Sequence, residues 1–260
     1  MNYCEIDSAK IACKLFGNGT RTLVIDTGLG SCSAEWWHIA EALSVKYRVL
    51  VYDRAGYGTS SMSTLERKPR NIAAELNKLL YAAGVEGNII IIGHSQGGLN
   101  AIEYALLYPE NVTGLVLLDP ATPFDSEFKR NLTAEEYKKS GIDKTFTYKA
   151  GLIITTMGLG FILKPLFKNA PPFYYYNFPS TSKKYLLKAL CKRNTYKTAL
   201  AEYESTHNGK DTEDIEKAIQ NSSLENIPVK LITHSSDIYI KELEYFGSLD
   251  TETAQKVESM

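Results

Sequence analysis

The sequence predicts an α/β architecture, a mostly parallel sheet with helices on both faces, and three observations predict it. Short apolar strands at residues 22–26, 49–52 and 88–93 alternate with helical segments, the rhythm of parallel strands joined by crossover helices. The run Asn88-Ile-Ile-Ile-Ile-Gly93-His94-Ser95-Gln96-Gly97-Gly98 passes at once into a helical stretch, residues 99–107. Sheet character then returns at residues 227–233, after a long stretch, residues 121–226, that lacks this alternation and reads as several helices.

Size and composition suit one large α/β domain. The chain has 260 residues, 44% of them hydrophobic and 23% charged, as in ordinary globular proteins. Its net charge of -1 gives no reason to expect nucleic acid or an anionic membrane as partner. The start, Met1-Asn-Tyr-Cys-Glu-Ile-Asp, lacks the basic and apolar regions of a signal peptide. Cys4, Cys13, Cys32 and Cys191 have no C-x-x-C spacing and read as reduced thiols, which places the chain in the cytoplasm.

Taken in order, residues 2–16 alternate around Ser8-Ala9 as an antiparallel hairpin, with Cys4 and Cys13 facing each other. The strand at 22–26 leads into Thr27-Gly28-Leu29-Gly30-Ser31 and a helix over about 33–43. After the strand at 49–52, Asp53 and Arg54 enter a glycine-punctuated turn ending at Gly58. There the Asp53 carboxylate is expected to cap the turn and pair with Arg54, in preference to a catalytic role. Residues 69–83 form an amphipathic helix with Ile72, Leu76, Leu79 and Leu80 on one face and Gly84 as C-cap. Gly28-x-Gly30 followed by Asp53 sketches a dinucleotide fingerprint. Ser33 replaces its third glycine, and Trp36 and Trp37 crowd the helix that would have to pack closely. No Walker motif, H-E-x-x-H or cysteine–histidine cluster is present, so no cofactor or metal is implied.

The chemistry concentrates at Gly93-His94-Ser95-Gln96-Gly97, which fits G-x-S-x-G, a strand-to-helix turn that lifts a serine hydroxyl above the sheet. A Cβ at Gly93 or Gly97 would collide with the neighbouring strand or helix, and Gly98 permits still closer packing. The helix N-terminus aims N–H groups and positive dipole at the serine, where charge develops in acyl transfer. The plainer alternative is a glycine-rich turn with a serine N-cap; the strand before and helix after favour the nucleophile.

With Val24-Ile-Asp-Thr-Gly28-Leu29-Gly30, Val49-Leu-Val-Tyr-Asp53-Arg54-Ala-Gly56-Tyr-Gly58 and Gly114-Leu-Val-Leu-Leu-Asp119-Pro120, the chain resembles the α/β-hydrolase family over most of its length. The resemblance implies Ser95 as nucleophile and the backbone N–H groups of Leu29 and Gln96 as oxyanion donors. It divides the chain into core residues 1–120, a helical cap over 121–226, and core residues 227–260. Within the cap, Pro171-Pro-Phe173-Tyr174-Tyr175-Tyr176 either lines a pocket or seals the cap onto the body, packing being the commoner use.

The triad acid then falls at Asp237, after the strand at 227–233, with Asp119 as the competing position. The family's eighth strand, catalytic histidine and final helix find no counterpart before Met260, so the chain reads as C-terminally truncated. Of its histidines, His94 should point away from the serine, His38 lies on the first helix outside the pocket, and His207 reads as an exposed loop residue. His234, at a strand end, is the remaining replacement base. The expected activity is serine hydrolysis of a small, largely apolar ester or related acyl substrate. The alternative is an impaired or non-catalytic remnant that binds a small apolar ligand. An uncovered edge strand at 229–233 is expected to promote self-association.

Overall fold

The apolar runs become seven strands: β1 (Asn2–Ile6), β2 (Ala9–Phe16), β3 (Thr22–Asp26), β4 (Arg48–Tyr52), β5 (Ile89–His94), β6 (Val112–Leu118) and β7 (Val229–Ile232). In the computed structural model they form one sheet, ordered β1-β2-β4-β3-β5-β6-β7. Residues 1–7, 9–143, 145–167, 170–207, 210–221, 223–224 and 226–260 are described, without the side chains of 125–127. The hairpin β1–β2 is antiparallel, pairing Asn2 with Cys13 and Ile6 with Ala9; its turn residue Ser8 lies outside the described residues. Cys4 and Cys13 Sγ approach to 3.8 Å, a packing contact between free thiols. β2 joins β4 antiparallel, and every pairing from β4 to β7 is parallel.

The central strands are apolar throughout because both faces are covered. Val24, Leu50 and Ile91 point into the larger core, shared with α2 (Pro69–Ala82) and α3 (Gln96–Leu107). Leu23, Ile25, Val49, Val51 and Ile92 point into the opposite core, beneath α1 (Trp37–Leu43) and Trp36. A short 3₁₀ turn, Ser33–Glu35, precedes α1. Ile72, Leu76, Leu79 and Leu80 are buried along α2, and Gly84, at φ +64°, ends it.

After β6 come α4 (Asp125–Asn131), α5 (Ala134–Lys139), α6 (Thr145–Thr156), α7 (Lys164–Phe167), α8 (Ser180–Leu190), α9 (Arg193–Thr206) and α10 (Glu213–Gln220). α6 packs on α9, whereas α10 lies on α3 and places Ile215 in the larger core. α11 (Ser236–Gly247) and α12 (Thr251–Glu258) follow β7 and bury Leu243, Leu249, Ala254 and Val257 against Leu132 and Phe128. Lys256 also reaches Glu136 at 3.3 Å. β7 is the sheet's edge, and its Val229, Leu231 and Ile232 are 47%, 55% and 48% exposed, which leaves an apolar strand, paired on one side only, on the surface. Among the described residues, no helix is long and apolar enough to cross a membrane.

Candidate active site

Ser95 sits between the end of β5 and the first residue of α3, at φ +51° and ψ -121°, a backbone region that side-chain-bearing residues rarely occupy. Its surroundings hold it there. Ser95 N–H donates to the Leu118 carbonyl at 3.1 Å, and its own carbonyl accepts from Gly98 and Ala121 N–H at 2.8 and 3.0 Å. A Cβ on Gly93 would lie 2.5 Å from Gly97 O, and one on Gly97 would lie 2.3 Å from Asp26 O. The sterics expected of these glycines are therefore met by α3 in one case and β3 in the other. Gln96, as the first helical residue, has an N–H with no partner within the helix.

Ser95 opens into a cavity of about 1040 Å³, whose lining includes Leu29, Gln96, Asp119 and His234. Ser95, Asp119 and His234 follow three neighbouring parallel strands, β5, β6 and β7, at their C-terminal ends. Asp119 N–H donates to the Ile232 carbonyl at 2.7 Å, so the acid stands beside the β7 exit. The His234 Nδ1 lies 2.7 Å from Asp119 Oδ1. Both side chains remain partly open to solvent, 34% exposed for His234 and 46% for Asp119.

The loop from Thr27 to Ser31 is held from behind by Arg54. Its Nη1 donates to Thr27 O at 2.5 Å and its Nη2 to Gly28 O at 3.2 Å. In a trans peptide the N–H points opposite to the preceding C=O, so drawing Gly28 O towards Arg54 turns Leu29 N–H away from it. Arg54 is fully buried and pairs with Asp26 on β3 at 2.6 Å and with Glu202 on α9 at 2.8 Å. Burial works against its charge, but Glu202 and Asp26 outweigh it and hold the guanidinium protonated. Burial also pushes the Asp26 carboxyl up, against the pull of Arg54. Tyr57 adds a hydrogen bond to Glu202 at 2.9 Å, and Arg67 lies 3.5 Å from it. Helix α9 is thereby tied to the loop beside Ser95.

The fold and this site can be set beside known proteins. The family described as α/β hydrolase fold matches residues 21–146. ALR0039 from Nostoc sp PCC 7120, titled an α/β hydrolase, superposes with a TM-score of 0.71 at 18% identity, covering 98% of this chain and 85% of its own. The chain has the α/β-hydrolase fold. Epoxide hydrolase CorEH is similar in fold, with a TM-score of 0.63 at 17% identity over 95% of this chain and 98% of its own. RutD of Azorhizobium caulinodans, named for carbamate hydrolysis, is 31% identical over 130 residues, 50% of this chain and 48% of RutD. YqjL of Bacillus subtilis is 32% identical over 105 residues, 40% of this chain and 42% of YqjL. The chain thus spans about half the length, or less, of these two curated relatives.

Within this α/β-hydrolase fold, several residues stand apart from their expected surroundings. Asp53 does not pair with Arg54. Its carboxylate accepts from Ser33 and Thr59 N–H and from the Tyr185 hydroxyl, at 2.8, 3.0 and 2.5 Å, because Arg54 turns the other way to satisfy two buried acids and two carbonyls. His207 is not an exposed loop residue: it caps α9, stacks on Tyr203 with ring centroids 3.8 Å apart, and lines the cavity. Its neighbours Asn208 and Gly209 lie outside the described residues. Asp237 is exposed in the first turn of α11 and outside the cavity lining. His38 stacks on Tyr176 at 4.3 Å, away from the lining. His94 lines the cavity and packs against Trp36 at 5.5 Å, and burial lowers the pKa of its imidazole.

The aromatic tract divides its duties. Tyr176 seals onto α1 through His38, Tyr174 packs on Tyr245 and Phe246 of α11, and Tyr175 lines the cavity with Pro171 and Pro172. Cys32 also lines it, but burial raises its thiol far above the range of a working nucleophile. Among the described residues, no group of three His, Cys, Asp or Glu side chains could hold a metal ion. Sequence reasoning missed Glu35, Tyr148 and Tyr203 in the lining and Glu202 behind the loop. The polar face of α9, with Thr195, Thr198, Glu202 and Ser205 all buried, carried a signal only in its periodicity.

Proposed function

We propose that this α/β hydrolase is a serine hydrolase of small, largely apolar esters or related acyl substrates. Ser95 is the nucleophile, His234 the base, Asp119 the acid that orients it, and the Leu29 and Gln96 amides hold the oxyanion. The observation that carries this reading is the 2.7 Å contact between His234 Nδ1 and Asp119 Oδ1, in the cavity that Ser95 also lines. A histidine donating Nδ1–H to a carboxylate keeps the Nε2 lone pair for a proton. Asp237, the acid favoured by chain position, takes no part in this arrangement because it lies outside the lining.

In the reaction, Ser95 Oγ attacks the acyl carbon while His234 accepts its proton, and Asp119 stabilises the imidazolium that forms. The carbonyl oxygen becomes an oxyanion facing main-chain N–H donors, one at the α3 N-terminus and one on the loop that Arg54 braces. His234 then returns the proton to the leaving alkoxide. Water, activated by the same imidazole, hydrolyses the acyl-enzyme and regenerates Ser95. RutD, the relative named for carbamate hydrolysis, points to the same kind of acyl centre.

The test is labelling and turnover together. A fluorophosphonate should modify Ser95, located by peptide mass spectrometry, and p-nitrophenyl butyrate should be hydrolysed in a manner lost with Ser95→Ala and His234→Ala. Turnover that survives both substitutions would overturn the assignment. A second reading, a non-catalytic binder of small apolar ligands, draws on the solvent exposure of the His234–Asp119 pair. Ligand binding without labelling or turnover would favour it.

A further inference from the structure

Among the described residues most buried carboxyls have a charged or hydrogen-bonding partner, and the half-buried Glu35 of the cavity wall has a hydroxyl alone. Asp26 and Glu202 pair with Arg54, and Glu75 pairs with Arg67 at 2.7 Å, whereas burial and the nearby Asp214 raise the Glu103 carboxyl against the weaker pull of Arg70, outside the cavity that Ser95 lines. Asp53 accepts three hydrogen bonds. Glu35 receives a hydrogen bond from the Ser31 hydroxyl and, among the described residues, has no lysine or arginine partner. It ends the 3₁₀ turn immediately after the loop that carries Leu29, and it lines the same cavity as Ser95. A carboxyl partly withdrawn from water without a countercharge carries a cost, and such groups in cavities commonly meet their partner in the ligand.

The rest of the wall has matching chemistry. Among the described residues, the lining contains no lysine or arginine, and its other side-chain carboxylates are Asp119 and Glu258. Tyr148, Tyr175, Tyr203 and Tyr239 add aromatic surface, whose faces attract cations. Tyr148 stands against the loop itself: a Cβ built on Gly30 would lie 3.6 Å from its ring and hydroxyl.

We propose that Glu35 forms a subsite for a cationic nitrogen of the substrate, so that the preferred substrates are small esters carrying an ammonium-type group on an otherwise apolar body. This rests on the serine-hydrolase reading for turnover and on the cavity alone for binding. Burial raises the Glu35 carboxyl above the ordinary glutamate range, and an arriving cation restores the charged form that burial disfavours. An anionic substrate meets only like charge here.

The experiment compares butyrylcholine, its uncharged carbon isostere 3,3-dimethylbutyl butyrate, and the anionic 4-(butyryloxy)butanoate. Butyrylcholine should exceed the isostere in kcat/KM by about tenfold, the factor expected for one modest ion pair. The anion should fall below both, and Glu35→Gln should bring the cation-to-isostere ratio to about 1. A wild-type ratio of 1 or less overturns the proposal without recourse to any variant, as does a preference unchanged in Glu35→Gln. Calorimetric titration with choline chloride separates this from the catalytic assignment. Choline should bind Ser95→Ala as it binds the wild type, and about tenfold more weakly to Glu35→Gln. If no ester is turned over, a Glu35-dependent choline affinity still supports the subsite, and an affinity that ignores Glu35 overturns it.

Discussion

Nδ1 of His234 lies 2.7 Å from Oδ1 of Asp119, joining the ends of two neighbouring parallel strands beside the strained turn at Ser95. This pairing brings together two residues that are 115 positions apart in the chain. It also sets the ranking of effects expected at the site.

Ser95→Ala should lower kcat for an activated ester by about 10⁴-fold or more, and His234→Ala by a similar factor, since a nucleophile and its base act as a unit. Steady-state hydrolysis of p-nitrophenyl butyrate measures both. His94→Gln provides the contrast: a half-buried ring with no assigned proton transfer should cost far less.

Asp119→Asn should reduce kcat by about 10²- to 10³-fold, short of the ~10⁴ of a buried triad acid. The reason is the 46% exposure of Asp119, which lets water share the stabilisation of the imidazolium. Asp237→Asn should leave turnover within about twofold, as for a surface substitution remote from the chemistry. The reverse ranking would move the acid to α11.

Arg54→Met should destabilise the fold by about 3–5 kcal/mol, because it strands Asp26 and Glu202 as uncompensated buried acids. Urea denaturation gives the value. Wherever the variant remains folded, kcat should fall more than KM rises, because the carbonyls of Thr27 and Gly28 lose the donor that orients the loop.

Glu35→Gln should stabilise the protein more at pH 8 than at pH 4. The folded-state pKa of Glu35 is raised, chiefly by burial, so the folded chain holds the proton more tightly than the unfolded chain. Stability is therefore lost as pH rises from the ordinary glutamate value through the raised one, and an amide removes that loss. Thermal melts of both proteins at the two pH values give the comparison.

At the sheet edge, Leu231→Lys should lower the concentration-dependent sedimentation of the chain. Leu231 is 55% exposed on an edge strand paired on one side only, and a lysine there opposes strand-to-strand association. Sedimentation mass that ignores the substitution would place any association elsewhere.

The elbow was legible in the sequence because its constraints are local. Gly93, Ser95, Gln96 and Gly97 lie within five residues, and the strand before and helix after them have strong periodic signatures. The same holds for β3, β4 and α2, whose apolar spacing matches the faces they bury. Which aspartate meets a histidine in the cavity was not legible. Asp119 and Asp237 each follow a strand, and only the turn of α11 away from the cavity separates them. Arg54 was misread for a related reason: adjacency to Asp53 suggested a local pair, whereas its partners come from β3 and from α9, 148 residues later.

By itself, then, the sequence determined the α/β alternation, the strained serine turn and its glycine clearances, because short-range sterics and hydrophobic period decide them. Tertiary structure alone decided which histidine meets which acid, which carboxyl in the cavity is left without a cation, and what braces the loop beside Ser95. Those outcomes depend on Coulomb energy and desolvation between groups far apart in the chain, and a linear pattern does not encode the distances on which these depend.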